Sequence, residues 1–177
     1  TSKLEVVGTT DRTGTTISFW PDGTIMQETT FEYQWVVDYL RHQAYLTKGV
    51  KTTVFDERTN EHYGFYFEGG IQSYVRHLNL GRDVVGDKVF YAEKQIEDVM
   101  VEISLQYNDG FNETVKAFAN NVFNPDGGTH LVGFRAAMTR VINDYARKNS
   151  LLKEKEDNLS GDDIREGLTA VILIKHP

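Results

Sequence analysis

Apolar side chains recur at three- and four-residue steps through residues 129–148. The positions that share this spacing are Leu131, Phe134, Met138, Val141, Ile142 and Tyr145. Residues three and four apart lie on the same face of an α-helix, so the pattern predicts an amphipathic helix packed on a sheet. Burial of six such side chains contributes roughly 1.5–3 kcal/mol each before the entropy of ordering is subtracted, which is enough to fix the helix.

A second pattern, with a period of two, predicts strands. Residues 100–105 alternate between apolar and polar side chains within a strand at 99–107, and the β-branched run at 168–174 is typical of a buried strand. Further strands are predicted at residues 4–7, 15–20, 50–55, 62–67, 89–92 and 113–120. Helices are predicted at residues 31–46, with Thr30 as the cap, and at 71–78. Because strands and helices alternate irregularly, the predicted fold class is α+β.

Glycines and capping residues predict where the later helices begin and end. The turn at Asp126-Gly-Gly128 is expected to be followed by Thr129 as the cap of the long helix, its hydroxyl accepting from the backbone one turn on. Ser160 and Asp163 form a variant capping box, with an acid where glutamate is usual. Gly167 suits the C-terminal end of the short helix that follows.

Composition limits the classes of function. The 177 residues carry a net charge of −7, which argues against a DNA-binding surface spread over the whole molecule but allows a local basic lining. Cysteine is absent from the sequence, so disulfides and thiolate chemistry are excluded. No apolar run reaches the ~18 residues needed to span a bilayer, and we expect no membrane partner. The chain begins at Thr1 rather than at a methionine, so we expect an excised piece of a longer protein.

Common catalytic motifs are missing from the sequence. The histidines (His42, His62, His77, His130 and His176) lack the spacing of a zinc site, so surface or capping roles are expected and no metal ligand is predicted. There is no Gly-x-Ser-x-Gly elbow, no phosphate-binding Gly-x-x-x-x-Gly-Lys-Ser/Thr loop and no Gly-x-Gly-x-x-Gly fingerprint. Arg165 and Glu166 are expected to be exposed or paired locally at a helix end rather than to form an acid–base pair.

Several short segments of the sequence form a distinctive set. They are Arg12-Thr-Gly-Thr-Thr16, Phe19-Trp-Pro-Asp22, Phe67-Glu-Gly-Gly-Ile71, Gln106-Tyr-Asn-Asp-Gly110, Gly127-Gly-Thr-His-Leu-Val-Gly-Phe-Arg135, Val141-Ile-Asn-Asp-Tyr-Ala-Arg147 and Asp162-Asp-Ile-Arg-Glu-Gly-Leu-Thr-Ala-Val171. Together they resemble the B subunits of bacterial type II DNA topoisomerases, with the gyrase B family nearest and topoisomerase IV nearly as near. The segments occur in the family's order from end to end, with little insertion.

The resemblance implies a fold and a parent enzyme. Residues 1–67 would be the C-terminal part of a GHKL-type ATPase domain, and residues 68–177 most of a transducer domain. The transducer is similar to domain 2 of ribosomal protein S5, a sheet with helices packed on one face. The parent would be a cytoplasmic, ATP-dependent topoisomerase that binds ATP and Mg²⁺, dimerises its ATPase gate around DNA, and works with the gyrase A subunit in an A2B2 heterotetramer.

The resemblance also implies that this chain is catalytically incomplete. The family's phosphate lid, Mg²⁺-holding asparagine and catalytic glutamate would precede Thr1, and its γ-phosphate lysine would follow Pro177. No catalytic residue is therefore predicted within the chain. Thr15 matches a threonine that joins the hydrogen-bond network of the adenine, whereas from the residues alone it is a strand threonine beside a turn.

Arginines on the long helix have two interpretations. Arg135 lies on the flank of the apolar stripe, where a salt bridge would be worth roughly 0–1 kcal/mol if exposed. The resemblance implies instead that Arg135 lines the cavity through which DNA passes, where phosphate-directed cations suit a duplex of any sequence. Arg140 and Arg147 could extend this DNA lining, but both lie nearly opposite the apolar face, which is equally expected of arginines on any solvated helix.

Two other classes of protein stay open at this point. A non-enzymatic nucleic-acid-binding module would bind DNA by itself, with an affinity that falls steeply as salt rises. A pure interaction domain would respond to neither DNA nor nucleotide.

Overall fold

A computed structural model describes residues 3, 5–11 and 13–177. The chain divides into two compact units, Thr1–Glu32 and Tyr33–Pro177. In the described part of the first unit the backbone forms turns and bends but no helix or strand. The prediction of a strand at residues 15–20 is therefore wrong. The strand predicted at 4–7 includes Leu4, which lies outside the described residues, as does Arg12.

The missing strand has a physical reason. Residues 15–20 are exposed, and no neighbouring strand pairs with them among the described residues. A β-strand is stabilised by hydrogen bonds and side-chain contacts across the ladder, so β-branched residues alone do not form one. The local order that does form in this unit centres on Asp22, whose carboxylate accepts hydrogen bonds from the Thr24 amide at 2.8 Å and the Thr24 hydroxyl at 2.7 Å.

The second unit opens with a helix and a hairpin. Helix α1 spans Tyr33–Leu46, and strands β1 (Thr52–Asp56) and β2 (Glu61–Phe65) pair antiparallel. The prediction is confirmed, although the helix begins two residues later than expected. The small core of these elements contains Val37, Ala44 and Phe65.

A five-stranded mixed sheet follows. Its strands are β3 (Val84–Ile96), β4 (Val99–Asn108), β5 (Thr114–Ala119), β6 (Val122–Phe123) and β7 (Leu168–Lys175), and the helices are α2 (Ile71–Leu78), α3 (Thr129–Lys148) and α4 (Gly161–Arg165). The strand order is β3-β4-β7-β5-β6, with β7 antiparallel to β4 and parallel to β5. The last strand of the chain thus lies at the centre of the sheet. Among the described residues, no helix is both long and apolar enough to cross a bilayer.

Strand β7 is buried on both faces, which corrects the expectation that helices cover one face. Val171 and Leu173 belong to the core formed with α2 and the end of α1. Leu168, Ala170 and Ile172 belong to the core under Phe134 of α3. Successive side chains of a strand point to opposite faces, so α2 and α3 lie on opposite sides of the sheet. This also explains why β7 is continuously apolar rather than alternating.

Helix α3 has the predicted bounds but differs in its cap and its buried face. Gly128, not Thr129, is the N-cap, and no side chain caps the first turn. Val141 and Tyr145 are 57% and 62% exposed, against the prediction. Asn143 is buried instead, because its side chain exchanges hydrogen bonds with the backbone of Leu159 at 3.0 and 2.8 Å.

The short helix α4 follows its predicted chemistry. Ser160 and Asp163 form the reciprocal capping box, with the Asp163 amide donating to the Ser160 hydroxyl at 3.1 Å and the Ser160 amide donating to the Asp163 carboxylate at 2.8 Å. These bonds lower the pKa of Asp163. Gly167 has a φ of 69° just after the helix, as expected of a terminating glycine.

Candidate nucleic-acid interface

Arg135 of α3 is held by an acidic side chain from a distant part of the chain. Its Nε donates to Glu113 Oε1 at 3.0 Å, and its Nη2 donates to Glu113 Oε2 at 2.6 Å. Glu113 immediately precedes β5, and this position brings its carboxylate beside α3. The planar guanidinium fork matches a carboxylate in this two-bond geometry. The salt bridge that sequence reasoning considered for Arg135 is therefore present.

A second arginine shares the same carboxylate. Nε of Arg165 lies 3.7 Å from Glu113 Oε1, and its Nη2 lies 2.5 Å from Oδ1 of Asp162. The Arg165–Asp162 contact confirms the predicted local pairing at the end of α4. Sequence reasoning missed Glu113, because it appeared only as the first residue of the predicted strand 113–120 and belongs to no catalytic or binding motif.

Two hollows in the surface meet at this cluster. The first, which we call the arginine groove, has a volume of about 560 Å³ and lies between α3 and residues 158–161. Its charged lining residues are Arg135, Arg140, Asp144 and Arg165. The second, which we call the acidic hollow, has a volume of about 390 Å³. Its charged lining residues are Glu113, Arg135, Asp162, Asp163, Arg165 and Glu166. Arg135 and Arg165 thus border a cationic surface on one side and an anionic surface on the other.

Arg140 and Arg147 have different surroundings, although both are candidates from the sequence. Arg140 is exposed on α3 and lines the arginine groove. Arg147 donates from Nε and Nη2 to Oδ1 of Asn158, at 3.1 and 2.9 Å, and also to the carbonyl oxygens of Lys153 and Glu156. Arg147 therefore holds the loop after α3 in place, whereas Arg140 is available to an anion.

Thr15 is exposed within the first compact unit and lies on no strand. Its predicted contact with adenine stays a prediction. Among the described residues, no three His, Asp or Glu side chains converge as ligands for a metal ion.

A further cavity of about 380 Å³ lies among α1, α2, β5 and β6. Its lining includes His42, Tyr74, His77, Lys116 and Phe118. Burial lowers the pKa of His42, and the Asp38 carboxylate opposes that shift. Burial also raises the pKa of Tyr74 to about 12. Sequence reasoning missed this cavity because its walls come from separate parts of the chain and share no motif.

Known proteins resemble this chain along almost its whole length. The family model described as DNA gyrase B matches residues 70–177. The DNA gyrase B protein of Streptococcus pyogenes serotype M3 is 51% identical over 98% of this chain, and the chain spans 27% of that relative's length. The solved 43K ATPase domain of Thermus thermophilus gyrase B, in complex with an aminocoumarin, has a TM-score of 0.80 at 35% identity. That match covers 89% of this chain and 43% of the other.

A second solved structure has the same fold. The topoisomerase IV ATP-binding domain of Francisella tularensis, in complex with a small-molecule inhibitor, has a TM-score of 0.72 at 22% identity and covers 89% of this chain and 42% of its own. The likeness to these structures confirms the predicted α+β class, which this chain shares with GHKL-type ATPase domains. The chain belongs to the DNA gyrase B family.

Proposed function

We propose that this chain is the section of an ATP-dependent type II DNA topoisomerase B subunit that couples ATP binding and hydrolysis to DNA strand passage and supercoiling. Residues 1–67 end the ATPase domain, and residues 68–177 form most of the transducer domain. The family match from residue 70 onward supports this division. Because the chain spans about a quarter of its relatives' length, the complete activity belongs to a longer protein.

The observation that carries the proposal is the convergence of three arginines on one groove. Arg135, Arg140 and Arg165 line the arginine groove although the whole chain has a net charge of −7. A local concentration of guanidinium groups attracts phosphates whatever the mean charge of the surface. Contacts to phosphate position a duplex without selecting its sequence, as strand passage requires. Arg135 and Arg140 are the proposed DNA contacts.

Strand β7 is the proposed connection between the two activities. It lies at the centre of the sheet, hydrogen-bonded to β4 on one side and β5 on the other. A strand buried on both faces moves together with its sheet, because its core contacts are close-packed. A displacement of the end of β7 by nucleotide would therefore rotate the sheet and the arginines of α3 with it.

Membership of the DNA gyrase B family supports the proposed cofactors and protein partners. ATP and Mg²⁺ bind the longer protein, with Thr15 as this chain's contribution to the adenine network. No Mg²⁺ ligand and no contact to the phosphates of ATP are assigned to the described residues. The B subunit dimerises through its ATPase gate and works with the A subunit on DNA in the bacterial cytoplasm.

The test is a substitution in the full-length B subunit assembled with its A subunit. Arg135→Ala should lower the ratio of ATP hydrolysis with duplex DNA to hydrolysis without it several-fold, because a charge-assisted hydrogen bond contributes about 1.5–3 kcal/mol. Supercoiling should fall in parallel. Arg76→Ala removes an exposed arginine from α2 on the other face of the sheet and should leave the ratio unchanged.

Two outcomes would contradict the proposal. If both substitutions lowered the ratio equally, the effect would be one of net charge rather than of the groove. If the 177-residue chain bound DNA tightly by itself while Arg135→Ala left stimulated hydrolysis intact, a separate nucleic-acid-binding module would be the better description.

A further inference from the structure

Resting on the proposed function, we infer that Glu113 is a positioning residue for the DNA site: it holds the guanidinium of Arg135 at the border of the arginine groove until a phosphate displaces the carboxylate. DNA binding would then be an exchange of one anion for another on the same guanidinium. The structural basis is the contact between Arg135 and Glu113. Nε and Nη2 of Arg135 both donate to the Glu113 carboxylate, at 3.0 and 2.6 Å.

The exposure of the pair allows such an exchange. The side chain of Arg135 is 39% exposed and that of Glu113 is 20% exposed. A partly exposed pair is worth less than a fully buried one, because water and salt compete for its charges. A phosphate of DNA offers the same planar guanidinium two oxygen acceptors in similar geometry. The exchange therefore replaces one bidentate contact by another.

Because Arg135 lies between the two hollows, the exchange would move its guanidinium from the acidic hollow toward the arginine groove. On one side lies the acidic hollow with Glu113, and on the other the arginine groove with Arg140. A duplex attracted to Arg140 and Arg165 would bring phosphates to the groove side, opposed there by Asp144. Rotation of the long Arg135 side chain is then sufficient to move its charge from carboxylate to phosphate without moving α3.

Arg165 compensates the carboxylate that Arg135 leaves. Its Nε lies 3.7 Å from Glu113 Oε1, and it is anchored by Asp162 as well. A carboxylate left without any cation would be costly at this degree of burial, whereas one that keeps Arg165 is not. Arg165, held between two carboxylates, is the fixed member of the cluster, and Arg135 is the mobile one.

The inference is tested with Glu113→Gln in the full-length B subunit. Glutamine keeps the size and one oxygen acceptor for Arg165 but removes the charge that competes with phosphate. The dissociation constant of a short fluorescent duplex, measured by anisotropy over a salt series, should fall about two- to fivefold at low salt, the range of a surface ion pair. The slope of log affinity against log salt should stay the same, because Arg135 contacts a phosphate in both proteins.

Two further variants separate a specific exchange from a general charge effect. Asp162→Asn removes one negative charge from the same cluster, at a side chain that is 94% exposed, and should change the dissociation constant less than twofold. In an Arg135→Ala background, Glu113→Gln should have no further effect on duplex affinity. Thermal unfolding of each variant checks that the fold is retained.

The outcomes separate the positioning role of Glu113 from the DNA contact of Arg135. If Glu113→Gln left binding unchanged or weakened it, or matched Asp162→Asn, or still acted when Arg135 was absent, the exchange would be overturned. If Arg135→Ala itself left both duplex affinity and DNA-stimulated hydrolysis unchanged, the proposed DNA contact would fail as well. Weaker binding by Arg135→Ala with no gain from Glu113→Gln would leave the DNA contact standing and remove only the role of Glu113.

Discussion

Gly167 and Asn108 approach each other so closely that no side chain fits between them. An added Cβ on Gly167 would overlap the carbonyl oxygen of Asn108 and would lie 2.8 Å from the carbonyl oxygen of Gly110. The approach is fixed by a hydrogen bond from the Asn108 amide to the Gly167 carbonyl at 2.9 Å. With a φ of 69°, Gly167 turns the chain from α4 directly into the central strand β7.

Gly167→Ala is therefore expected to destabilise the fold by more than about 2 kcal/mol, since positive φ alone costs about 1–2 kcal/mol for a residue with a Cβ. The melting temperature should fall by roughly 4–8 °C. Gly133→Ala is the matched control, because an added Cβ in the middle of α3 meets nothing within 4 Å. That change should stabilise the protein by up to about 1 kcal/mol. Equal melting temperatures for the two variants would contradict the steric argument.

A buried polar cluster under α2 offers a second stability test. The hydroxyl of Thr169, which is fully buried, donates to Asn79 Oδ1 at 2.7 Å and accepts from Asn108 Nδ2 at 3.1 Å. Thr169→Val keeps the shape but removes both bonds, so a loss of about 1–3 kcal/mol is expected in chemical denaturation. Thr53→Val on the exposed face of β1 should stay within about 0.5 kcal/mol. A neutral Thr169→Val would mean that the cluster contributes no net stability.

The stability of the sheet should depend on pH through Glu102. Burial raises the pKa of Glu102 above 4.5, and the nearby charge of Glu93 raises it further, against the opposing charges of Lys175 and Lys48. The folded state thus favours the protonated form. The stability that this group contributes is present below pH 4.5 and is lost as pH rises through the raised pKa.

Glu102→Gln should accordingly raise the free energy of unfolding at pH 7, and the gain should shrink as the pH falls toward 4. Glu93→Gln should give part of the same gain by removing the neighbouring charge. Urea denaturation of the three proteins across pH 4–8 measures this. A gain from Glu102→Gln that did not vary with pH would show that ionisation is not its cause.

The proposed role of Thr15 predicts a change in nucleotide affinity. In the full-length B subunit, Thr15→Val should raise the KM for ATP about tenfold, which corresponds to about 1.4 kcal/mol, the scale of one lost hydrogen bond. Thr16→Val, at the exposed neighbouring position, is the control and should leave KM unchanged. Equal effects of the two substitutions would indicate a shared backbone role and would remove Thr15 from the adenine site.

Much of the candidate site could be located from the sequence, but the ion pair between Arg135 and Glu113 could not. The helical period placed Arg135 on the flank of α3, and the structure finds it there, at the border of a groove. Its partner Glu113 lies 22 residues earlier, before strands β5 and β6 and the turn that leads into α3. Whether the Glu113 carboxylate reaches Arg135 depends on where α3 lies relative to β5, and no local sequence pattern contains this information.

For the helices and strands, too, some features could be predicted from the sequence and others could not. The pattern of residues by itself determined the bounds of α2 and α3, the hairpin and the buried strand β7, because side-chain spacing along a helix or strand is a local property of the backbone. Only the tertiary structure decided that helices cover both faces of the sheet and that Asn143 rather than Tyr145 is buried on α3. It also decided that residues 15–20 form no strand. Those outcomes depend on which distant segment covers a given face, and burial is settled by contacts between segments rather than within them.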